Sequence, residues 1–441
     1  MKIKNSLLLI SILSSFYLSI LILFPSSVPF VDDWSVFENL IIKDNDILKW
    51  LFIETEGGHN FAIIKILLII IYYLFNFNLE IFNFLSVFSI FLASLLFIKK
   101  LNKDKIQDYL ICWFILFLFS GKFFPAISQM VNYSWIFTYL MIIIFWYNFH
   151  STKKNISIIL ITTILAPLSL GFGLVIPFYL IIFTSIKVIE KKSETYDYIF
   201  FTFSIFVITV TYLLPQIDNQ SQTILNDLDL NNLINFFITF FSILGNIFVP
   251  WVPKVSFFVY ISALFGFIQL ICVLIIFLRE LKNNKHNNFS DLYADNPLLF
   301  MGIFFAGLVS IKRYDFLTGI EARYFAGCLI FQLGFWIMIL KNNYREALVN
   351  TFKFISICCF IISLFSPYLG IHWQISKSIQ SKQIINCYNN NIMSIEECHK
   401  ETYTKVFYNS DWYDINSFNE SISYLYINNK SFFNKLDKKI K

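Results

Sequence analysis

Apolar residues run along this chain in long blocks separated by short polar breaks. Thirteen blocks stand out: 6–24, 60–77, 81–98, 107–120, 134–149, 155–168, 172–189, 197–214, 233–249, 255–278, 296–311, 323–340 and 351–370. Many approach the roughly 20 residues with which an α-helix crosses a hydrocarbon core. The pattern predicts an all-α membrane protein. The first block follows Lys2 and Lys4, but it is long, has no small-x-small cleavage site and precedes many further blocks. It therefore reads as an uncleaved first helix and not as a signal peptide.

Lysine placement tests how many blocks cross. With all thirteen crossing and Lys2 and Lys4 inside, Lys99, Lys100, Lys103, Lys105, Lys153, Lys154, Lys187, Lys191 and Lys192 fall outside. Short cytoplasmic loops normally carry the excess of Lys and Arg. Laying 60–77 and 233–249 flat in the outer interface moves all nine inside, and keeps Arg279, Lys282, Lys285, Lys341 and Arg345 there too. Both segments have polar reasons to lie flat. Lys65 sits in the first, while the second is short, carries Asn235 and Asn246, and runs into Pro250-Trp251-Val252-Pro253. The expectation is about eleven transmembrane helices with outer juxtamembrane helices. Residues 1–370 form the membrane domain and 371–441 a small tail on the outer face. The map predicts a multi-pass plasma-membrane protein with a cytoplasmic N-terminus.

Composition agrees: of 441 residues, 57% are hydrophobic and only 14% charged, against about 25% charged in soluble domains. The 54 Phe residues suit a lipid-facing surface. The net charge of +5 is informative only through its placement. Five cysteines (Cys112, Cys272, Cys328, Cys358, Cys359) lie in blocks and read as small hydrophobes. Cys387 and Cys398 lie in the tail, where an oxidising compartment permits a disulfide and two free thiols are the alternative. No zinc spacing, phosphate-binding glycine loop or fixed-period repeat is found, and no nucleic-acid partner is expected.

The chemistry-bearing residues gather in the predicted outer segments. Asp32-Asp33-Trp34 follows the first helix. Two adjacent carboxylates repel, so one pKa rises, as a general base near neutral pH requires; a solvated loop with an interfacial Trp is the plainer reading. Glu56-Gly57-Gly58-His59 bends ahead of the flat segment. Gln129, Asn132 and Trp135 make a polar-aromatic mouth suited to sugar stacking and amide hydrogen bonds, or an aromatic belt. Ser169-Leu170-Gly171-Phe172-Gly173 lets backbone approach closely, or is a plain tight turn. Lys312-Arg313, then Glu321-Ala322-Arg323-Tyr324, puts cations where the positive-inside trend disfavours them. Arg binds phosphate and carboxylate in bidentate fashion, and ionisable groups at spans point to function. Internal Arg–carboxylate pairing is the alternative.

In this order and with this sidedness, the pieces resemble the GT-C class of membrane glycosyltransferases, distantly the protein O-mannosyltransferases and the lipid A aminoarabinose transferase. The resemblance covers about residues 1–345 and rests on the ordered set, not on any one motif. It implies a sugar donor on polyprenyl phosphate, a cell-envelope glycan or lipid acceptor, surrounding membrane lipids and no redox cofactor. It implies Asp32 as leading base and Asp33 as the next candidate. Arg313, Arg323 and Tyr324 would hold the donor phosphate, and Glu56, His59, Gln129, Asn132 and Trp135 would bind substrate. Two positions depart from the family: Asn60 stands where relatives have Arg, and Asp33 where the mannosyltransferases have Glu. The first departure shifts phosphate contact onto Arg313 and Arg323. A divalent metal at Asp32 and Asp33 has no support in ligand spacing. The competing readings are a lipid-linked oligosaccharide polymerase, which would not need the acidic pair, and a flippase or transporter, which calls for polar groups at mid-span.

Overall fold

A computed structural model describes residues 4–25, 61–120, 132–149, 155–213, 230–249, 256–282, 288–313, 324–341, 346–365 and 371–389, with Leu51, Lys122, Ile127 and Met130. The described residues build fifteen α-helices: α1 (Lys4–Leu23), α2 (Ala62–Leu74), α3 (Glu80–Lys103), α4 (Asp108–Leu118), α5 (Tyr133–Phe149), α6 (Ile156–Ser169), α7 (Val175–Ile189), α8 (Thr195–Ile208), α9 (Leu230–Gly245), α10 (Ser256–Lys282), α11 (Phe289–Asp295), α12 (Pro297–Arg313), α13 (Phe325–Lys341), α14 (Glu346–Phe365) and α15 (Ile371–Asn389). Five helical stretches are long and apolar enough to cross a membrane, or six if the pair α11–α12, bent by 83°, counts as one. Further apolar helices are shorter. The chain is a multi-pass helical membrane protein.

Side-chain contacts fix the relative direction of several helices. Phe82 meets Tyr133 and Phe97 meets Trp146, so α3 and α5 run the same way. Phe149 packs on Tyr179 and Phe183, which puts the C-terminal half of α7 beside the end of α5. Lys341 bonds Asp104 at 3.2 Å, and Trp135 meets Tyr324 at the other end, so α13 runs with α3 and α5. The backbone of Gly302 lies against Phe331 and that of Gly334 against Leu299, so α12 is antiparallel to α13. Two ends result, named here by Lys100 and Trp135. Helices α3, α5 and α13 run from the Trp135 end to the Lys100 end, and α12 runs the other way. Of the two segments expected to lie flat, 60–77 falls between α1 and α3, while Leu230–Phe248 is one of the five stretches long and apolar enough to cross.

The posture of the second segment differs from the expectation. Helix α9 packs along α10 instead of lying across the bundle end. Gly245 faces the Ser262 carbonyl and Gly266 faces that of Phe241, so closely that a Cβ on either glycine would sit 2.0 Å from the opposing oxygen. The Ser262 hydroxyl donates to the Ser242 carbonyl at 2.6 Å. Small residues at such spacing let helix backbones touch where no hydrophobic force drives them together. The reason for the upright posture is this small-residue seam, which a hydropathy reading does not weigh. Helix α2, with 13 residues, is one of the shorter apolar helices.

The Lys100 end is closed by ion pairs and polar bonds. Lys100 reaches Asp104 at 2.7 Å and Lys187 reaches Asp197 at 2.5 Å. The Ser290 hydroxyl donates to Glu190 at 2.5 Å, tying α11 to the end of α7. Burial acts to raise the Asp104 carboxyl, but the hydrogen bond from Lys100 and the charge of Lys341 hold it below the usual carboxylate value.

Candidate functional site

The Trp135 end gathers part of the predicted set. The Trp135 ring stacks on Phe172 at 5.6 Å and meets Tyr324 edge-on at 5.7 Å and Phe305 at 6.1 Å. Trp135 and Tyr324 are buried. Three sequence motifs, 128–135, 168–173 and 312–324, thus supply one aromatic floor. Gly173 makes it possible: a Cβ there would lie 2.1 Å from the Ala166 carbonyl carbon, so the turn after α6 folds directly onto the helix. The small-residue motif Ser169-Leu170-Gly171-Phe172-Gly173 is a close backbone approach, one of the two readings its composition offered.

Asn132 is half-buried in the turn before α5, where its carbonyl accepts from the Trp135 backbone at 3.0 Å. Arg313 is the last residue of α12, and α12 ends at the Trp135 end; its side chain lies outside the described residues. Asp32, Asp33, Glu56, His59, Gln129 and Arg323 also lie outside them. The helix that precedes Asp32 and Asp33 in sequence, α1, ends at the Trp135 end. There the Tyr17 hydroxyl donates to the Phe119 carbonyl at 2.5 Å, and the Phe24 carbonyl accepts from Gln374 at 2.7 Å. Among the described residues, no group of three or more His, Cys, Asp or Glu side chains is placed to hold a metal.

No family model, curated protein or solved structure matches the chain.

Lys122 is the residue at this end that sequence reasoning missed. It lies in the connection from α4 to α5, almost fully buried. Its ammonium donates to the Asn246 carbonyl, to Asn246 Oδ1 at 3.1 Å and to the Val249 carbonyl at 2.5 Å. It also sits 5.6 Å from the centre of the Phe325 ring. Burial pushes its pKa down to about 8, while the neighbouring Cys328 and Cys359 thiols act the other way. The last carbonyls of a helix have no intrahelical donor and carry partial negative charge. Lys122 supplies donors just beyond the end of α9, and other helices complete the cap. Gln332 donates to the Leu244 carbonyl at 2.8 Å, and Cys359 to that of Ile247 at 3.3 Å. With all three ammonium donors engaged, Lys122 positions the hairpin. The signal for it was available: by the lysine map it is another cation on the outer side, the exception that singled out Arg313 and Arg323.

Two further groups bear on function. Gln269 and Gln332 exchange reciprocal amide hydrogen bonds at 2.9 and 2.8 Å between the middles of α10 and α13. This is mid-bundle polarity, but its atoms are paired with each other and with Leu244. At the Trp135 end, by contrast, Gln374 Oε1 and Ser378 Oγ on α15 are buried without a hydrogen-bond partner. Each such atom costs about 1–3 kcal/mol when left unpaired.

Proposed function

We propose that the chain is a GT-C-type glycosyltransferase that moves a sugar from polyprenyl phosphate to a cell-envelope acceptor at the outer face of the plasma membrane. The observation that carries the reading is convergence on one end. The helix leading to Asp32 and Asp33, the Trp135–Phe172–Tyr324 floor and the end of α12 at Arg313 all belong to the end opposite Lys100, Lys187 and Lys341. The reading takes about eleven crossings, the number that keeps the short-loop lysines on one side. Lys100, Lys187 and Lys341 then face the cytoplasm. Cys387, on α15, is disulfide-bonded, which suits an oxidising compartment for the tail; Cys398 lies outside the described residues.

In this mechanism Arg313 and Arg323 hold the charge that develops on the departing polyprenyl phosphate, preorganised in a site shielded from water. Asp32 or Asp33 takes the proton from the acceptor hydroxyl as its oxygen bonds the anomeric carbon. Trp135 and Tyr324, both buried, form the apolar floor beneath the sugar site. The paired state of Gln269 and Gln332 favours an enzyme at one face over a carrier with open polar groups at mid-span.

Release of polyprenyl phosphate from polyprenyl-phosphate sugars, in proteoliposomes with envelope extract as acceptor, tests the assignment. One of Asp32→Asn and Asp33→Asn abolishes release and the other weakens it. Full activity in the double variant ends the base assignment, and no release by the unaltered protein with any donor sugar ends the transferase reading.

A further inference from the structure

Helix α3 carries one outward stripe along its length. Phe84, Phe88, Leu92, Leu95, Lys99 and Lys103 follow at steps of four, four, three, four and four, which keeps them on one side of a helix. Phe84 is 40% and Phe88 60% exposed, Leu92 and Leu95 are half-buried, and Lys99 and Lys103 are exposed. The helix is one of those long and apolar enough to cross a membrane, so the phenylalanines of this stripe face lipid. The apolar part, from Phe84 to Leu95, covers about 16 Å of helix, half of a ~30 Å core and enough to line one acyl chain. One turn farther the stripe becomes cationic, as suits the level of the headgroups.

Three exposed lysines gather where α3 ends. Lys99 lies 5.6 Å from the centre of the Tyr147 ring, Lys103 closes the helix and Lys105 follows in the turn, exposed. Asp104 stands among them, but its oxygens are held by Lys100 at 2.7 Å and by Lys341 at 3.2 Å. None of the three pairs with a carboxylate among the described residues. The Ile106 N–H donates to the Leu101 carbonyl at 3.0 Å, a helix ending that puts Lys105 in the left-handed region, at a φ of 61°. Glycine fills that position without steric cost. The helix dipole does not call for Lys105 either, since Lys100 and Lys103 already stand in the last turn, where cations are favoured.

We infer that the end of α3 is a binding site for an anionic phospholipid of the leaflet at the Lys100 end, with its phosphate among Lys99, Lys103 and Lys105 and an acyl chain along the stripe below Lys99. Charge complementarity selects the headgroup. Three ammonium groups without carboxylate partners suit a lipid of net negative charge, such as phosphatidylglycerol, over a zwitterionic one that carries its own cation. The apolar stripe selects a lipid over a free anion. The site opens to the bilayer and stands apart from the transferase reading, whose residues gather at the other end.

The test reads the lipid that the full chain carries, by mass spectrometry, after release from nanodiscs of mixed phosphatidylcholine and phosphatidylglycerol. The unaltered protein retains phosphatidylglycerol in preference. Lys99→Gln and Lys103→Gln each lower that preference about fivefold, the scale of one lysine at an anionic lipid surface. Lys105→Gly lowers it too, without lowering the unfolding midpoint in phosphatidylcholine, a combination that a lysine kept only for structure does not give. Lys282→Gln, exposed at the end of α10, leaves the preference unchanged. Equal retention of the two lipids by the unaltered protein, or an undiminished preference in the triple variant, overturns the inference. An equal loss in Lys282→Gln also overturns it, because the attraction is then a diffuse surface charge. Displacement of the lipid by inorganic phosphate at constant ionic strength does the same, because the site is then one for the free anion.

Discussion

Single residues at the Trp135 end owe their character to what surrounds them. Lys122 is an ordinary lysine in sequence, yet in the fold it is buried and its pKa is lowered to about 8. A base with a folded pKa below its unfolded value of about 10.4 disfavours folding while charged. That penalty is full below pH ~8 and is relieved as pH rises from there toward ~10.4. Stability of the unaltered protein relative to Lys122→Met should therefore increase across that window, as read by denaturation in detergent at a series of pH values. A constant difference would show that Lys122 keeps its usual pKa. The same variant leaves the carbonyls of Asn246 and Val249 without their lysine donor, so at pH 7 it should expose the end of α9 to faster amide exchange. The sequence flags Lys122 only as a cation in an outer segment. Its role needs Asn246 and Val249, more than 120 positions away, which no local pattern announces.

Among the elements, the α9–α10 hairpin shows most clearly where hydropathy stops being informative. A flat helix and an upright one of the same composition look alike in a sequence window. Posture is decided by fit, and Gly245, Ser262 and Gly266 fit backbone to backbone. Gly266→Leu places a side chain against the Phe241 carbonyl and should force α9 and α10 apart. The expected cost is about 1–3 kcal/mol or more, typical of overpacking, seen as a lowered unfolding midpoint and as cleavage by added protease between residues 250 and 255. An unchanged midpoint would mean that the helices do not touch at this seam. Helix α15 makes the converse case. Its polar composition marked it as tail, and only the fold turns Gln374 and Ser378 inward.

At the scale of the whole molecule, the division into two unlike ends is the main result. Cysteines introduced at Lys103 and at Arg313, in a background lacking the five free cysteines of the described residues, should label from opposite sides of the membrane with an impermeant maleimide. Labelling of both from one side would show that the two ends do not lie on opposite sides. Sequence alone determined that the chain is an all-helical membrane protein, because a run of apolar residues long enough to span hydrocarbon has no other stable home. Lysine placement led to the expectation that 60–77 and 233–249 lie flat, because lysines cross the membrane poorly. Tertiary structure decided the arrangement in space: that 233–249 stands upright along α10, that Trp135, Phe172 and Tyr324 share one floor, and that Lys122 caps α9. Burial, close approach and an unpaired oxygen are properties of neighbours distant in sequence, and only the packed chain brings those neighbours together.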